Sequence, residues 1–142
     1  MTRVVLRAAS VTLDFEARRL CESAALEEKG VAVLFDVLQY GQPARAFALR
    51  FDGRVVAYLN RCVHVPTELD WLPGEFLDAD REFILCSIHG ATYEPRSGRC
   101  VAGPCGRGRL TPLEAFDLDG EVWWRPTRDT QPAPEPQGPP SL

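Results

Sequence analysis

The sequence predicts an all-β protein made of antiparallel strands, and two Asp-Gly dipeptides are the main reason for this prediction. They occur at 52–53 and 119–120. Each joins two runs of alternating apolar residues, at 44–51 and 54–59 in the first case and at 113–118 and 121–125 in the second. Asp-Gly between two such runs favours the type I′ turn of a β-hairpin. Helical periodicity is scarce elsewhere, so these hairpins decide the fold class.

The first forty residues predict three further elements. Residues 1–19 form an N-terminal extension with a possible extra strand, since three apolar residues there alternate with polar ones, namely Val11, Leu13 and Phe15. Residues 23–29 predict a short helix that Ser23 caps and Gly30 ends. Residues 31–38 predict a strand, which the turn-like sequence at 40–43 closes.

The second half predicts short strands at 83–86 and 91–94, followed by a turn at Ser97-Gly98. From residue 126 to 142 the chain is rich in proline, a composition that buries too little apolar surface to offset the entropy of ordering. We therefore expect a main domain over 20–125 and a disordered tail over 126–142.

Two short motifs contain all the histidine of the chain. They are Cys62-Val63-His64 and Cys86-Ser87-Ile88-His89, and the sequence has 2 His in total. Two thiolates and two imidazoles are the ligand set of a 2Fe-2S centre in which His replaces Cys on one iron. A structural zinc site is the alternative, because Cys₂His₂ also binds zinc. Zinc ligands usually come as Cys-x₂₋₄-Cys and His-x₃₋₅-His, so motifs that each mix the two residue types favour iron and sulfur.

Histidine ligation changes the redox chemistry of such a centre. A ligating imidazole is neutral and a thiolate is anionic, so replacing two thiolates removes two negative charges. An added electron then meets less repulsion, and the potential rises to roughly −150 to +300 mV from about −400 mV.

The two motifs resemble those of the Rieske family, and the resemblance extends to Gly90, to the sequence from Ala91 to Arg99, and to Gly103-Pro104. It implies an antiparallel β sandwich with a small cluster-binding subdomain of two hairpin loops. It also implies one 2Fe-2S cluster per chain. Its ligands would be Cys62 and Cys86 on the inner iron and His64 and His89 on the outer one.

The resemblance also concerns residues around the ligands. High-potential Rieske proteins have Ser and Tyr where this chain has Ala91 and Tyr93. Because Ala91 lacks the Ser hydroxyl that donates toward sulfur, we expect a low, ferredoxin-like potential. Tyr93 either bonds to sulfur or packs in the core. Gly103 and Pro104 would belong to a loop that covers the cluster. Respiratory members join their ligand loops by a disulfide, which Thr67 and Ile88 of this chain cannot form.

Other residues have several interpretations. Cys100 and Cys105 bracket the cover loop, and in a reducing cytoplasm we expect them to be free thiols. Trp71, Leu72 and Phe76 shield the cluster or form a docking patch, and we favour shielding. The acidic segment 68–82 and the arginines of 96–109 would give the cluster region an acidic and a basic side.

Composition narrows the possible partners and location. The formal net charge is −4, which argues against a nucleic-acid partner. No apolar run approaches the roughly 20 residues of a transmembrane helix, and the N-terminus lacks the apolar region of a signal peptide. We expect a cytoplasmic protein without a membrane role, and the sequence leaves its oligomeric state open.

Three functions compete. The first is an electron carrier between a flavin reductase and an oxygenase or another acceptor. The second is a tightly bound small subunit of a reductase complex, such as a nitrite-reductase-like enzyme with its large subunit, and the third is a redox-sensing module. Oxygenase activity by this chain alone would need a second iron held by two His and a carboxylate. Since both histidines are already assigned, we expect no catalysis by the chain alone.

Overall fold

The computed structural model describes residues 6–8, 11–13, 16–63 and 67–134. Strands dominate these residues, and they follow the chain in this order: β1 (Leu6–Ala8), β2 (Val11–Leu13), β3 (Arg18–Glu22), β4 (Val33–Gln39), β5 (Gln42–Phe51), β6 (Arg54–Leu59), β7 (Ile84–Leu85), β8 (Thr92–Tyr93), β9 (Cys100–Ala102), β10 (Pro112–Leu118), β11 (Glu121–Arg125) and β12 (Thr130–Pro132). Among the described residues, no helix has the length and apolar character needed to cross a membrane.

Seven strands form the main sheet, in the order β12-β4-β5-β6-β10-β11-β3. Every pair of neighbours in this sheet runs antiparallel. The sheet folds over on itself, because the ring of Phe35 on β4 lies 5.3 Å from that of Trp124 on β11 although three strands separate these two in the sheet. The expected antiparallel β sandwich is therefore confirmed.

Both predicted Asp-Gly hairpins are present. Asp52 and Gly53 connect β5 to β6, and Asp119 and Gly120 connect β10 to β11. All four residues have positive φ, between 53° and 79°. This is the backbone that a type I′ turn requires, and its twist matches that of the flanking strands.

A second sheet, with strand order β7-β8-β9, carries the second Cys/His motif between β7 and β8. Its buried residues join one core with the main sheet: Ile84 of β7 and Tyr93 of β8 share this core with Phe47 of β5. The ring of Phe76 stacks on that of Phe47 at 3.7 Å between centroids. Full burial of such a side chain contributes about 1.5–3 kcal/mol, so this core holds the motif-bearing sheet firmly on the sandwich.

The predicted helix over 23–29 is wrong. The structure has a single 3-10 turn, Ser23–Ala25, and Leu26 already has extended backbone angles. Interactions with β5 and with the turn that follows it prevent the helix: the N–H of Lys29 donates to the carbonyl of Arg50, and the Glu28 carboxylate accepts from both N–H groups of the Asp52-Gly53 turn. Tertiary hydrogen bonds outweigh a weak local helix preference here.

The predicted disorder from residue 126 is wrong for the first part of the tail. Residues 130–132 form β12, which pairs with β4. Thr130 is buried, its hydroxyl bonds to Gln39, and its N–H donates to the Thr127 hydroxyl. Residues 135–142 lie outside the described residues, as does Phe15 of the predicted extra strand. In the N-terminal part β1 pairs with β2, and β3 crosses the proposed boundary at residue 20.

Candidate metal centre

Two loops bring the candidate ligands together. The first follows β6 and contains Cys62, which is 2% exposed, and the second connects β7 to β8 and contains Cys86, which is 0% exposed. The two thiols are close enough to influence each other, since the neighbouring Cys62 adds to the rise in the pKa of the Cys86 thiol. His89 lies exposed at the end of the second loop, and His64 lies outside the described residues.

The second loop is a tight turn that the backbone closes. The N–H of Cys86 donates to the carbonyl of Ala91 at 2.8 Å, and the N–H of Gly90 donates back to the carbonyl of Cys86 at 2.9 Å. Gly90 has a φ of 73°, a left-handed conformation that glycine adopts without strain. The turn therefore directs the Cys86 sulfur inward while His89 faces solvent.

The surroundings of the Cys86 sulfur suit a metal-bound thiolate. Burial raises the pKa of the Cys86 thiol, while hydrogen bonds from the backbone N–H groups of His89 and Ile88 lower it. A buried thiolate needs a positive partner, which a metal ion supplies, and N–H groups directed at sulfur stabilise the remaining negative charge.

Tyr93 on β8 contacts the first ligand loop. Its hydroxyl lies 3.5 Å from the Cys62 sulfur and accepts a hydrogen bond from the N–H of Val63 at 3.1 Å. Because Val63 donates to the phenol oxygen, the phenol proton is available to the sulfur. Burial, followed by the neighbouring Cys62, raises the pKa of Tyr93, which keeps this proton in place. Tyr93 is 0% exposed and its hydroxyl also contacts the Cys62 sulfur, so the residue packs in the core and lies beside a candidate ligand.

These residues fit a 2Fe-2S cluster, in which each of the two irons binds a pair of protein ligands. The two buried sulfurs suit the inner iron, and the exposed imidazole of His89, in the loop of Cys86, suits the outer one. Among the described residues, which do not include His64, no three His, Cys, Asp or Glu side chains gather around a single metal position.

Residues 16–133 match the family model of the Rieske 2Fe-2S domain. The chain belongs to this family. A Rieske domain binds a 2Fe-2S cluster, so the cofactor expected from the sequence is confirmed. No curated protein sequence matches the chain.

Several solved structures share this Rieske fold. The ferredoxin of carbazole 1,9a-dioxygenase from Nocardioides aromaticivorans IC177 is 24% identical with a TM-score of 0.62, and the match covers 78% of this chain and 98% of that one. The terminal oxygenase of carbazole 1,9a-dioxygenase from Novosphingobium sp. KA1 is 21% identical with a TM-score of 0.58, covering 86% of this chain and 31% of that one. A chain of the reduced complex between oxygenase and ferredoxin in carbazole 1,9a-dioxygenase is 19% identical with a TM-score of 0.62, and the match covers 76% of this chain and 27% of that one. This chain thus spans about a quarter of the length of that last match.

The loop at Gly103-Pro104, which the sequence predicts to cover the cluster, packs closely on the second ligand loop. A Cβ atom on Gly103 would lie 2.6 Å from the carbonyl oxygen of Gly90 and 2.9 Å from the Cα of Ala91, and Gly103 has a φ of +83°. Both the contact and the backbone angle therefore require glycine. Ala91 is 0% exposed beneath this contact, whereas Pro104 is exposed.

The expectation of free thiols in the cover loop is wrong. Cys100 and Cys105 form a disulfide with their Cα atoms 5.8 Å apart. The loop reverses direction at Gly103, which brings the two cysteines into the 4.4–6.8 Å range that a disulfide spans. The bond closes the base of the loop that lies on Gly90.

Two of the three apolar residues that we expected to shield the cluster, Trp71 and Leu72, are exposed, so their role as a shield or as a docking patch stays a prediction. Trp71 is 77% exposed and Leu72 is 60% exposed, whereas Phe76 is buried. Some of the acidic side chains have basic partners outside the segment, since Glu68 pairs with Arg45 and Glu82 with Lys29. The segment therefore combines a buried anchor with an exposed apolar turn.

Sequence reasoning missed the polar residues that hold the first ligand loop. Asn60 is 5% exposed and bonds to the backbone of Leu69 and to the side chain of Asp70. The other carboxylate oxygen of Asp70 accepts from the N–H of Gly74 at 3.0 Å. A polar residue directly after an apolar strand is common at any strand end, so the sequence contained no signal that singled out Asn60.

Proposed function

We propose that this chain transfers one electron at a time between protein partners, with a 2Fe-2S cluster held by Cys62, His64, Cys86 and His89. The main support is the contrast between the two buried, adjacent sulfurs and the exposed His89. When bound, the cluster supplies a reversible one-electron couple in the range of roughly −150 to +300 mV.

The protein gives this couple one accessible side. The buried sulfurs of Cys62 and Cys86 keep the inner side away from water, and the cover loop at Gly103 closes the neighbouring backbone. The exposed imidazole of His89 offers a partner a short path for the electron. Because the cluster would be accessible from one side only, small oxidants would reach it less easily.

We infer a potential near the low end of the Rieske range. Hydrogen bonds to the cluster and its sulfur ligands raise the potential because they stabilise the extra negative charge. Tyr93 provides one such bond, but Ala91 has no hydroxyl and is fully buried. A midpoint well above roughly +100 mV would contradict this inference.

We propose a terminal oxygenase, or another acceptor of similar size, as the electron acceptor and a flavin reductase as the donor, in the cytoplasm. The match to a complete carbazole dioxygenase ferredoxin, of which it covers 98%, favours a separate carrier over an enzyme subunit. The solved complexes of such a ferredoxin with its oxygenase support the class of acceptor.

The experiment is a rapid-mixing measurement of electron transfer. The photoreduced protein is mixed with the oxidised terminal oxygenase of a carbazole-type dioxygenase, and the absorbance of each partner is followed. We expect one electron to leave each chain, with a rate that depends on salt and on oxygenase concentration. A cluster that remains reduced in the presence of this oxygenase and of other single-electron acceptors would refute the carrier function. Constant co-purification with a large reductase subunit would favour the subunit alternative.

A further inference from the structure

The base of the first ligand loop is held by the side-chain amide of Asn60. This residue comes directly after β6 and is 5% exposed. Its Oδ1 accepts from the N–H of Leu69 at 2.7 Å, and its Nδ2 donates to Oδ1 of Asp70 at 2.8 Å. Its backbone N–H donates to the carbonyl of Arg45 on β5 at 2.8 Å. The amide therefore connects both ends of the loop to the main sheet.

The peptide of Leu69 continues this connection to the second ligand loop. Its N–H is bound by Asn60, and the carbonyl of Leu69 accepts from the N–H of Ser87 at 3.0 Å. Ser87 is the neighbour of Cys86. The Leu69 side chain is 0% exposed, so these bonds lie where water competes little and hydrogen bonds are strong.

We propose that Asn60 is a positioning residue that sets the spacing of the two ligand loops through the Leu69 peptide. The proposal rests on the ligand assignment above, because Cys62 lies two residues beyond Asn60 and Cys86 lies next to Ser87. An amide suits this place because it accepts and donates at the same time. A buried donor or acceptor without a partner costs free energy. Another side chain at position 60 would therefore leave a polar group unpaired and loosen the first ligand loop.

A charge-neutral exchange of two side chains tests the role. Asn60→Asp removes the donor and places a second carboxylate against Asp70. Asp70→Asn is milder, because it keeps the bond between Asn60 and Leu69 while it loses one of the two bonds that Asp70 accepts. In the combined variant the new carboxylate accepts from Leu69 and from the new amide, and the amide oxygen accepts from Gly74. The combined variant thus restores every hydrogen bond with the same net charge.

Two rates are measured on the cluster-loaded protein: the rate of cluster loss, from visible absorbance, and the hydrogen exchange of the Ser87 amide. Asn60→Asp should raise both about tenfold, and Asp70→Asn should have a smaller effect. The combined variant should return both rates close to those of wild type. Thr130→Val is the matched control, since Thr130 is the other buried polar side chain in the described part of the chain and lies on β12. It should lower thermal stability without changing Ser87 exchange.

Two results would overturn the role of Asn60. One is a combined variant that loses its cluster as fast as Asn60→Asp. The other is a Thr130→Val protein whose Ser87 exchange accelerates as much as that of Asn60→Asp at equal thermal stability. Both leave electron transfer by the wild-type protein intact. Wild-type protein without iron and acid-labile sulfide would instead overturn the ligand assignment and this role together.

Discussion

Replacing Tyr93 by Phe removes the hydrogen bond to the proposed cluster, together with the one that the hydroxyl accepts from the N–H of Val63. The hydroxyl of Tyr93 lies 3.5 Å from the Cys62 sulfur, and the residue is 0% exposed. Reduction adds negative charge to the cluster and its sulfur ligands, so the bond is stronger in the reduced state. Its loss should therefore disfavour reduction and lower the midpoint potential.

The distance sets the size of this effect. Hydrogen bonds to charged groups contribute about 1.5–3 kcal/mol. The 3.5 Å contact to sulfur is long, so we assign about 1 kcal/mol to the difference between the oxidation states. For a one-electron couple, about 59 mV corresponds to a tenfold change, or about 1.4 kcal/mol. The midpoint of Tyr93→Phe should thus lie about 40 mV below that of wild type.

Protein-film voltammetry at constant pH and salt measures this shift. Tyr58→Phe is the matched control, because its hydroxyl is also buried but donates to the carbonyl of Pro95 at 2.6 Å. Burial raises the pKa of Tyr58 to about 12, so both phenols stay protonated at neutral pH. The control should lower the free energy of unfolding and leave the midpoint unchanged. An unshifted midpoint in Tyr93→Phe, or an equal fall in Tyr58→Phe, would refute the reasoning.

Three other parts of the structure give shorter predictions. Asp117→Asn should lower the free energy of unfolding by about 1 kcal/mol at neutral pH, because the hydrogen-bonded Arg50 lowers the pKa of Asp117 below 3.8. This difference from wild type should be complete above pH 3.8 and disappear as the pH falls through the lowered pKa; a difference that grows in acid would contradict it. Trp71→Ser should leave the rate of cluster loss unchanged, because Trp71 is 77% exposed; faster bleaching would show that it shields the cluster. After alkylation of the unfolded protein, mass spectrometry should find Cys100 and Cys105 unmodified until a reductant is added; alkylation without reductant would exclude the disulfide.

Local chemistry explains which parts of the fold the sequence predicted. The hairpins at Asp52-Gly53 and Asp119-Gly120 depend on two residues whose backbone preference matches a type I′ turn, so neighbouring sequence is enough. The Cys and His motifs are equally local, because each spans only three or four residues. Such features do not require knowledge of distant contacts.

Long-range contacts explain the failures. The helix over 23–29 is lost to hydrogen bonds that Lys29 makes with β5 and that Glu28 makes with the turn after β5. The segment around Thr130 is ordered because β4 provides a pairing edge, although its composition resembles that of a disordered tail. Asn60 could not be identified because its partner Leu69 is connected through a loop with no periodicity. In each case the deciding partner is brought into place by the fold and not by the adjacent sequence.

The ligand assignment is best tested by the paramagnetic resonance of the dithionite-reduced protein, with nitrogen couplings measured by electron-nuclear double resonance. Two imidazole ligands predict an average g value below that of an all-thiolate cluster, together with strong couplings to two directly bound nitrogens. Replacing His89 by Cys should remove one of these couplings or abolish the cluster. A reduced spectrum without bound nitrogen, or a colourless protein that contains zinc in place of iron and sulfide, would contradict the assignment of Cys62, His64, Cys86 and His89.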